Sequence, residues 1–389
     1  MTTRFRRPAD LVICFPGGGE LMAVRATVGV PVKITPGSVA VLDACRDGAA
    51  ASDVAAALGA VGYEITSEEA AGALETLAGA GLLRREDGDG NSPAADFASR
   101  IMASPTWGDS WGLPGWLFYL ATRDQEHLDD ADLAAVGATD LRVPLFKRYP
   151  QARQEPLPTP APLPRTVFQE ILIGRRTIRE FSTEPVTLQQ LSQLLYYTHA
   201  PHHLVEVEVF GPLPRRSYAN GGARSELELY ANVTGIAGLS DGLYHYQPVA
   251  HCLELLGPAL GPDRLLHLSG GWQPWCAAAP VTVFVTVIFD RSSVKYRHPL
   301  ALAVIHKDTG CLGQVFQQVA TSLGLGAYIT GFFHATGTEE ALGIDGIEEA
   351  TTLIVGAGVP APDAEQEQET IVPVRPGMVL PDAMFEDAR

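Results

Sequence analysis

The sequence predicts an α+β protein in which a mixed central sheet is flanked by helices, and three observations in its second half support this fold class. Residues 280–289 form a β-branched run typical of a buried central strand. Two strand-like segments, 228–233 and 242–246, precede that run. Residues 300–323 carry apolar side chains on one broad face, which predicts a long amphipathic helix. Shorter apolar runs predict two further strands, at 252–256 and 351–356.

Three regions differ in composition, and these differences predict the domain organisation. Residues 1–95 alternate helical patterns with turns, 96–165 form a connecting region, and 166–389 form the main domain. The connecting region carries an aromatic cluster made of Trp107, Trp111, Trp116, Phe118 and Tyr119. Residues 155–164 hold five prolines, which predicts a stiff, extended linker.

The first region has the pattern of a small winged-helix-like module. Helices are predicted to start at Thr35, Ala51 and Thr66. Residues 82–85 predict a strand that enters a hairpin tip at 86–90. Residues 41–90 hold ten acidic residues against three arginines, and this balance excludes a DNA-reading helix. The module is therefore expected either to hold a peptide or partner protein or to be a purely structural addition.

The overall charge is strongly acidic, with a formal net charge of −17 and a pI near 5.0. This balance excludes nucleic acids and anionic membrane surfaces as general partners, because both are negatively charged. No apolar run reaches 18 residues and no signal-peptide pattern is present, so we expect a soluble, cytoplasmic protein. The five cysteines form no C-x-x-C pair, and no metal site is expected.

A concentrated cationic segment stands out in this acidic chain. Its sequence is Arg-Arg-Thr-Ile-Arg, beginning at Arg175. Guanidinium forks bind phosphate oxygens in pairs, and a neighbouring hydroxyl can bind a third oxygen. Arg175, Arg176, Thr177 and Arg179 are therefore the residue types that an anionic cofactor needs, and a solvated basic turn is the alternative.

Four segments, in order, resemble the nitroreductase superfamily, and most closely its SagB/McbC-type branch of FMN-dependent azoline dehydrogenases. They are the cationic segment at 175–179, a glycine loop and strand at 215–230, Gly-Leu-Tyr-His-Tyr at 242–246, and a glycine-rich stretch at 324–350. Glycine-rich loops are common, so the specificity of the match comes from four such segments in one order. The resemblance implies a nitroreductase-like FMN-binding fold for residues 166–389.

The same resemblance implies which residues bind FMN: Arg175, Arg176, Thr177, Arg179, Asn220, Gly221, Gly222, Ala223, Thr330 and Gly331. Arg175 and Thr177 are expected at the phosphate and ribityl chain, and Arg179 near the pyrimidine edge, where a cation stabilises the reduced ring. The loop 220–223 is expected to face the flavin across a homodimer interface. The backbone amide of Gly331 is expected near flavin N5, because glycine permits close backbone approach.

An adjacent Lys-Tyr pair belongs to the active site of this branch, and the chain has Lys295 and Tyr296 just before its long helix. Only four lysines occur among 28 basic residues, which favours a specific role for Lys295. The resemblance implies that the pair takes the proton that leaves the ring while hydride leaves for the flavin. The alternative is a surface lysine beside a half-buried tyrosine.

The chain also departs from the branch at three places. Arg224, Ser225 and Glu226 stand where the loop usually continues Leu-Tyr-Pro, and Cys311 stands where the long helix often has histidine. Residues 356–360 lack the basic residue that many nitroreductases use as a second phosphate clamp. These departures are expected to bear on the substrate pocket and on flavin affinity.

The sequence thus predicts FMN-dependent oxidation of an azoline, either thiazoline or oxazoline, to an azole on a peptide natural-product precursor. The expected partners are a ribosomal or carrier-bound peptide, a cyclodehydratase, O2 as electron acceptor, and a second copy of the chain. Three alternatives stay open: oxidation of another peptide- or carrier-bound residue such as an indole side chain, an NAD(P)H-dependent nitro or quinone reductase, and a flavin-free peptide-binding scaffold.

Overall fold

The chain divides into two compact units, Met1–Gly137 with Ser293–Val304, and Ala138–Ser292 with Ile305–Arg389. The computed structural model describes residues 3–8, 10–17, 20–25, 31–86, 117–118, 144–207, 210–296 and 300–362. Among these residues, no helix is long and apolar enough to cross a membrane. Of the predicted aromatic cluster, Phe118 is described and exposed, and the other four members lie outside the described residues.

The first unit combines short helices with two small antiparallel sheets. Its described elements are β1 Arg4–Arg6, β2 Leu11–Gly17, β3 Glu20–Arg25, β4 Pro31–Ile34, α1 Pro36–Ala44, β5 Ala49–Ala50, α2 Ala51–Ala60, α3 Ser67–Gly79 and β6 Arg84–Arg85. The strand orders are β5–β1–β6 and β2–β3–β4. Apolar side chains from the three helices and both sheets share one core. The sheet formed by β2, β3 and β4 was not predicted from the sequence.

The predicted helix starts are confirmed. The hydroxyls of Thr35 and Thr66 each accept a hydrogen bond at 3.2 Å from the backbone amide three residues later, and the carboxylate of Asp53 caps α2. The predicted strand at 82–85 is shorter than expected, because its two leucines are buried in the core and only its two arginines pair with β1. Of the predicted hairpin tip at 86–90, Glu86 is a turn residue and the other four residues lie outside the described residues.

The second unit is built on a seven-stranded sheet. Its elements are β7 Arg153–Pro156, α4 Phe168–Gly174, α5 Leu188–His199, β8 His203–Val207, β9 Gly211–Arg215, β10 Leu227–Val233, β11 Gly242–Gln247, β12 Cys252–Gly257, α6 Pro262–Leu268, α7 Pro274–Ala278, β13 Val281–Ile288, α8 Phe289–Ser293, α9 Leu300–Ser322, β14 Gly326–Thr330, α10 Ala335–Leu342 and β15 Glu349–Gly358. The strand order is β14–β15–β13–β10–β11–β12–β7, and β8 pairs with β9. The predicted strands and the long helix α9 are confirmed.

Both faces of this sheet are covered, as the α+β prediction requires. On one face, alternate residues of β10 and β13 pack with Leu312 and Phe316 of α9 and with Leu191 of α5. On the other face, Tyr230 and Phe284 pack with side chains from α6, α7 and α10. The ladders between the seven strands are antiparallel. Among the described residues, the parallel component of the predicted mixed sheet is a single bridge, between Thr177 and Ala327.

The proline-rich segment at 155–164 is extended, as expected, and it packs against the second unit. Its first residues belong to β7, which pairs with β12 at the edge of the sheet. The next residues lie against α5, where Ser192 donates to the carbonyl of Pro158 at 2.6 Å and Gln193 donates to that of Ala161 at 3.0 Å. Proline lacks the amide that a ladder needs but keeps its carbonyl, so a proline-rich strand can form an edge that accepts hydrogen bonds.

A buried network of charges lies beneath the same edge of the sheet. His245, in β11, is within 3.0 Å of Glu228 and 2.7 Å of Glu254, and all three side chains are almost fully buried. Arg291 donates to the other oxygen of Glu228 at 2.6 Å. Burial alone would lower the pKa of His245, but its bonds to the two carboxylates raise it. Likewise, burial opposes ionisation of Glu228, but His245 and Arg291 hold its pKa well below the ordinary range.

We predict that His245→Leu lowers the free energy of unfolding by roughly 3–5 kcal/mol, because it removes the cation that Glu228 and Glu254 share and leaves one oxygen of each buried carboxylate without its bond to His245. Urea unfolding of the variant and of His203→Leu, whose histidine is exposed on β8, provides the measurement and its control. Equal unfolding midpoints for His245→Leu and wild type would contradict the role assigned to the network.

The same network predicts how stability depends on pH. The folded-state pKa of His245 is raised from 6.5, so its contribution is complete below that pH and is lost as the pH rises through the folded-state value. The folded-state pKa of Glu228 is lowered from 4.5, so its contribution is present above that pH and is lost in acid. The urea concentration at the unfolding midpoint of the wild type should therefore decrease both in acid and at high pH. In His245→Leu the decrease at high pH should be absent.

Candidate functional site

The cationic segment is fixed beside β14 by backbone pairing. Thr177 bridges Ala327, and the amide of Ile178 donates to the carbonyl of Ala327 at 2.9 Å. Ile178 is buried, and its side chain occupies the space above Gly326, where a Cβ would lie 2.7 Å from it. A glycine at 326 is therefore required for the segment to lie this close to the strand.

The three arginines of the segment have different environments. Arg175 follows α4 and donates to Gln317 of α9 at 3.4 Å. Arg176 folds back and donates to the carbonyls of Ile173 and Arg175, at 2.5 and 2.9 Å, so it caps the end of α4. Arg179 is exposed, and its guanidinium lies 4.9 Å from the ring centroid of Trp275. Arg179 thus presents its charge to solvent, whereas Arg176 is used within the fold.

The predicted flavin-facing glycine lies at the end of β14. The hydroxyl of Thr330 accepts a hydrogen bond from the amide of Phe332 at 3.1 Å, and buried Gln273 donates to the carbonyl of Phe332 at 2.8 Å. These bonds hold the backbone on both sides of Gly331. A Cβ placed at Gly331 would meet no described atom within 4 Å, so its backbone borders open space.

An exposed aromatic surface, which was not predicted from the sequence, borders this glycine. The side chains of Trp272 and Phe332 are 59% and 60% exposed, and their ring centroids are 5.9 Å apart. Trp272 also contacts Trp275 at 5.9 Å, which carries Arg179 on its ring. Gly270 has φ 81°, and a Cβ there would lie 2.4 Å from Phe332. The adjacent glycines before Trp272 were the available sequence signal.

The predicted facing loop is tightly bonded within itself. Gly222 and Ala223 have φ 62° and 54°, a left-handed turn that glycine adopts readily. Asn220 accepts from the amide of Ser225 at 2.9 Å and donates to both oxygens of Glu226. The amide of Gly221 donates to Asp308 of α9 at 2.6 Å. The side chain of Asn220 is therefore engaged inside the loop.

The structure brings the cationic segment and Gly331 to the same strand, but not the loop at 220–223. The cationic segment contacts α9 at Gln317 and the loop contacts it at Asp308. Nine residues of helix correspond to about 13 Å at 1.5 Å per residue. Within one chain, the loop and the cationic segment are therefore attached to different turns of α9.

The structure gives the burial and position of two further sets of residues that the sequence singled out. Arg224, Ser225 and Glu226 are at most 1% exposed, so this departure from the branch acts in the packing of the loop and not as an open pocket wall. Lys295 and Tyr296 follow α8 and belong to the first unit. Both are half-buried, and the ammonium of Lys295 lies 5.3 Å from the ring centroid of Tyr296.

The residues along β14 fit an FMN molecule. An anionic, planar cofactor needs a cation that is free to approach it, a backbone with open space, and apolar ring surface. Arg179 is exposed, Gly331 borders open space, and Trp272 and Phe332 provide ring surface. Arg175 and Thr177 lie on the segment that pairs with the same strand.

The comparisons with known proteins define the class. The sequence profile of the nitroreductase family matches residues 172–359. A Methanocaldococcus jannaschii protein assigned as a nitroreductase is 30% identical over 178 residues, which are 46% of this chain and 84% of that protein. The chain therefore belongs to the nitroreductase family of FMN-binding oxidoreductases.

A second relative is the indigoidine synthase of Streptomyces lavendulae, 27% identical over 218 residues, which are 51% of this chain and 14% of that much longer protein. Two solved structures are also similar. A protein of Ralstonia eutropha assigned as a nitroreductase has a TM-score of 0.45 and 23% identity, covering 56% of this chain and 95% of its own. A chain of the Escherichia coli microcin synthetase McbBCD complex with truncated pro-MccB17 has a TM-score of 0.39 and 19% identity, and the match covers 46% of this chain and 66% of that chain.

We predict that Gly331→Ala keeps the fold but weakens FMN binding by about tenfold or more, because its methyl group enters open space that the cofactor needs. Gly257→Ala, on β12, is the matched control, since a Cβ there also meets no atom within 4 Å. Gly326→Ala should lower thermal stability, because it meets Ile178. Wild-type FMN affinity in Gly331→Ala would contradict the placement of the flavin.

Proposed function

We propose that this protein is an FMN-dependent oxidase that converts an azoline ring on a peptide precursor to an azole. The observation that carries the proposal is the exposed ring surface of Trp272 and Phe332 beside Gly331, within reach of a site that suits FMN. Flat aromatic side chains bind planar rings by stacking. The SagB/McbC-type motifs, including Lys295 and Tyr296, support an azoline as that ring.

The residues of the chain would divide the work as follows. Arg175 and Thr177 hold the phosphate end of FMN, and Arg179 compensates the negative charge of the reduced ring. FMN, when bound, supplies a hydride acceptor, which O2 restores after each turnover. Trp272 and Phe332 orient the azoline so that the C–H bond that loses hydride faces Gly331. Tyr296 and Lys295 act as one unit that accepts the proton from the adjacent ring atom, with the second group compensating the change in charge.

The N-terminal residues 1–95 would then hold the peptide, and 96–165 would connect this winged-helix-like module to the oxidoreductase domain. The acidic composition of the module favours a basic or apolar segment in the peptide or in a cyclodehydratase partner. The oxidation consumes an azoline, so a cyclodehydratase is the class of enzyme that would supply the substrate.

Oxidation of another peptide- or carrier-bound residue, such as an indole side chain, is the second candidate. The match to a segment of indigoidine synthase favours it, because that segment is part of a much longer synthase. An indole would also stack on Trp272 and Phe332.

The test is turnover of a peptide that carries one thiazoline, followed by mass spectrometry for the loss of two hydrogen atoms. Lys295→Ala and Tyr296→Phe should lower turnover about a hundredfold or more while FMN is retained, because each removes part of the proton acceptor. Arg153→Ala, which removes an exposed cation on the edge strand β7, is the control. Full turnover in Lys295→Ala would contradict the proposed role of Lys295 in accepting the proton. If the thiazoline is not oxidised but an indole is, or if the protein only reduces a quinone with NADPH, one of the alternative functions is favoured.

We also propose that the protein is a homodimer in which the loop at 220–223 faces the flavin of the partner chain. Helix α4 supports this proposal: it buries no residue, and Val167, Phe168, Leu172 and Ile173 are between 48% and 63% exposed. Such a contiguous apolar surface, next to the cationic segment, is typical of an interface.

We predict that the wild type sediments at twice the 41.5 kDa mass of the chain and that the double variant Phe168→Ser/Ile173→Ser sediments as a monomer. Val249→Ser is the control, because Val249 is exposed in the turn between β11 and β12. A monomeric wild type at micromolar concentration would contradict the dimer, since interfaces of this kind are usually retained at that dilution.

A further inference from the structure

Two carboxyl groups meet beneath the loop at 220–225. The side-chain nitrogen of Asn220 lies 2.8 and 2.9 Å from the two oxygens of Glu226 and 3.2 Å from an oxygen of Asp308. One amide nitrogen therefore lies within hydrogen-bonding distance of both carboxyl groups. Glu226 is fully buried and Asp308 is 6% exposed. The amide nitrogen has only two hydrogens for these three oxygens, and two ionised carboxylates brought together in a buried site repel each other, so the arrangement favours a proton on one of them.

The pair holds the loop through Asn220, which bonds to both carboxyl groups, and through Gly221, which bonds to Asp308. Asn220 donates to both members of the pair, and its own carbonyl oxygen accepts from the amide of Ser225 at 2.9 Å. The amide of Gly221 donates to Asp308 at 2.6 Å. Gly222, Ala223 and Ser225 have positive φ, so the backbone between these bonds adopts a conformation that needs support from outside.

We propose that Glu226 and Asp308 share one proton and that this proton keeps the loop at 220–225 in its folded conformation. The pair is a positioning device for the loop that, under the proposed function, faces the flavin. When the proton leaves, two buried carboxylates oppose each other, and the donors of Asn220 and Gly221 cannot compensate both charges. The loop then exchanges its internal hydrogen bonds for water.

Burial and the surrounding groups together place the pKa of this proton near neutral pH. Burial raises the pKa of Glu226 to about 7, against the hydrogen bonds from Asn220. Burial also raises the pKa of Asp308, against the bond from Gly221 and the charge of Lys307 on the same helix. Arg291, which donates to the carbonyl of Ser225, faces the loop from α8. Other titratable or charged groups on the elements around the pair include Arg216, Tyr218, Arg224, Glu228 and the exposed His306 of α9.

The direction of the effect follows from the raised pKa of Glu226. The folded loop binds the proton more tightly than the opened loop, so the closed conformation is complete at acidic pH and is lost as the pH rises through about 7. Glutamine at 226 reproduces the protonated acid, because its amide donates to Asp308 and its oxygen still accepts from Asn220. The variant Glu226→Gln should therefore keep the loop closed at alkaline pH.

Hydrogen–deuterium exchange of the flavin-free protein tests the proposal. The peptide that covers 219–226 is followed at pH 5.5 and pH 8.5, with intrinsic exchange rates corrected. In the wild type, protection should fall about tenfold or more between these values, corresponding to a pKa difference of at least about one unit between the closed and open loop. In Glu226→Gln the protection should stay constant, and Glu206→Gln, on exposed β8, should behave as the wild type.

Constant protection in the wild type, or an equal loss in Glu226→Gln, would overturn the proposal. If Glu226→Gln fails to fold, Asp308→Asn gives the second reading, since it also removes one charge from the pair and should flatten the pH dependence. Because no flavin is present, the result is separate from the proposed function. If the loop depends on pH but the protein never binds FMN, the proposal for the carboxyl pair stands and the proposed oxidase function fails.

Discussion

The contact between Ile178 and Gly326 is the constraint on which the candidate site depends. Because residue 326 has no side chain, the chain at 175–179 can pair with Ala327 and stay beside β14. That pairing fixes Arg175 and Thr177 against the strand that ends at Gly331. It also carries Arg179 to the ring of Trp275. A single small residue thus connects a cationic segment, an open backbone position and an aromatic surface that lie far apart in the sequence.

The two polar networks of the second unit have different physical characters. The network of Glu228, His245, Glu254 and Arg291 pairs each anion with a cation, so it is satisfied over a broad pH range and holds the sheet edge. The pair of Glu226 and Asp308 has no such cation between its members and depends on a proton. Glu226 and Glu228 are only two residues apart, yet Glu226 belongs to the titratable pair and Glu228 belongs to the charge network.

Much of the fold could be predicted, because its signals are local. The β-branched run at 280–289 and the apolar face of 300–323 specify a strand and a helix whatever surrounds them. The sheet of β2–β4 and the edge strand β7 were not predictable in this way, because their pairing partners are set by tertiary contacts. In the site, the cationic segment and Gly331 could be found from sequence, whereas the aromatic surface arises only when Trp272 meets Phe332. Lys295 and Tyr296 stay a prediction.

FMN binding along β14 is the premise of the proposed function, and the visible absorption spectrum of the purified protein tests it most directly. The spectrum is recorded before and after addition of FMN and removal of the unbound excess. We expect the protein to retain FMN after the excess is removed. Its yellow absorption maximum should be shifted from that of free FMN by the ring surface around Gly331. A colourless protein that does not retain added FMN would contradict it and leave a peptide-binding scaffold.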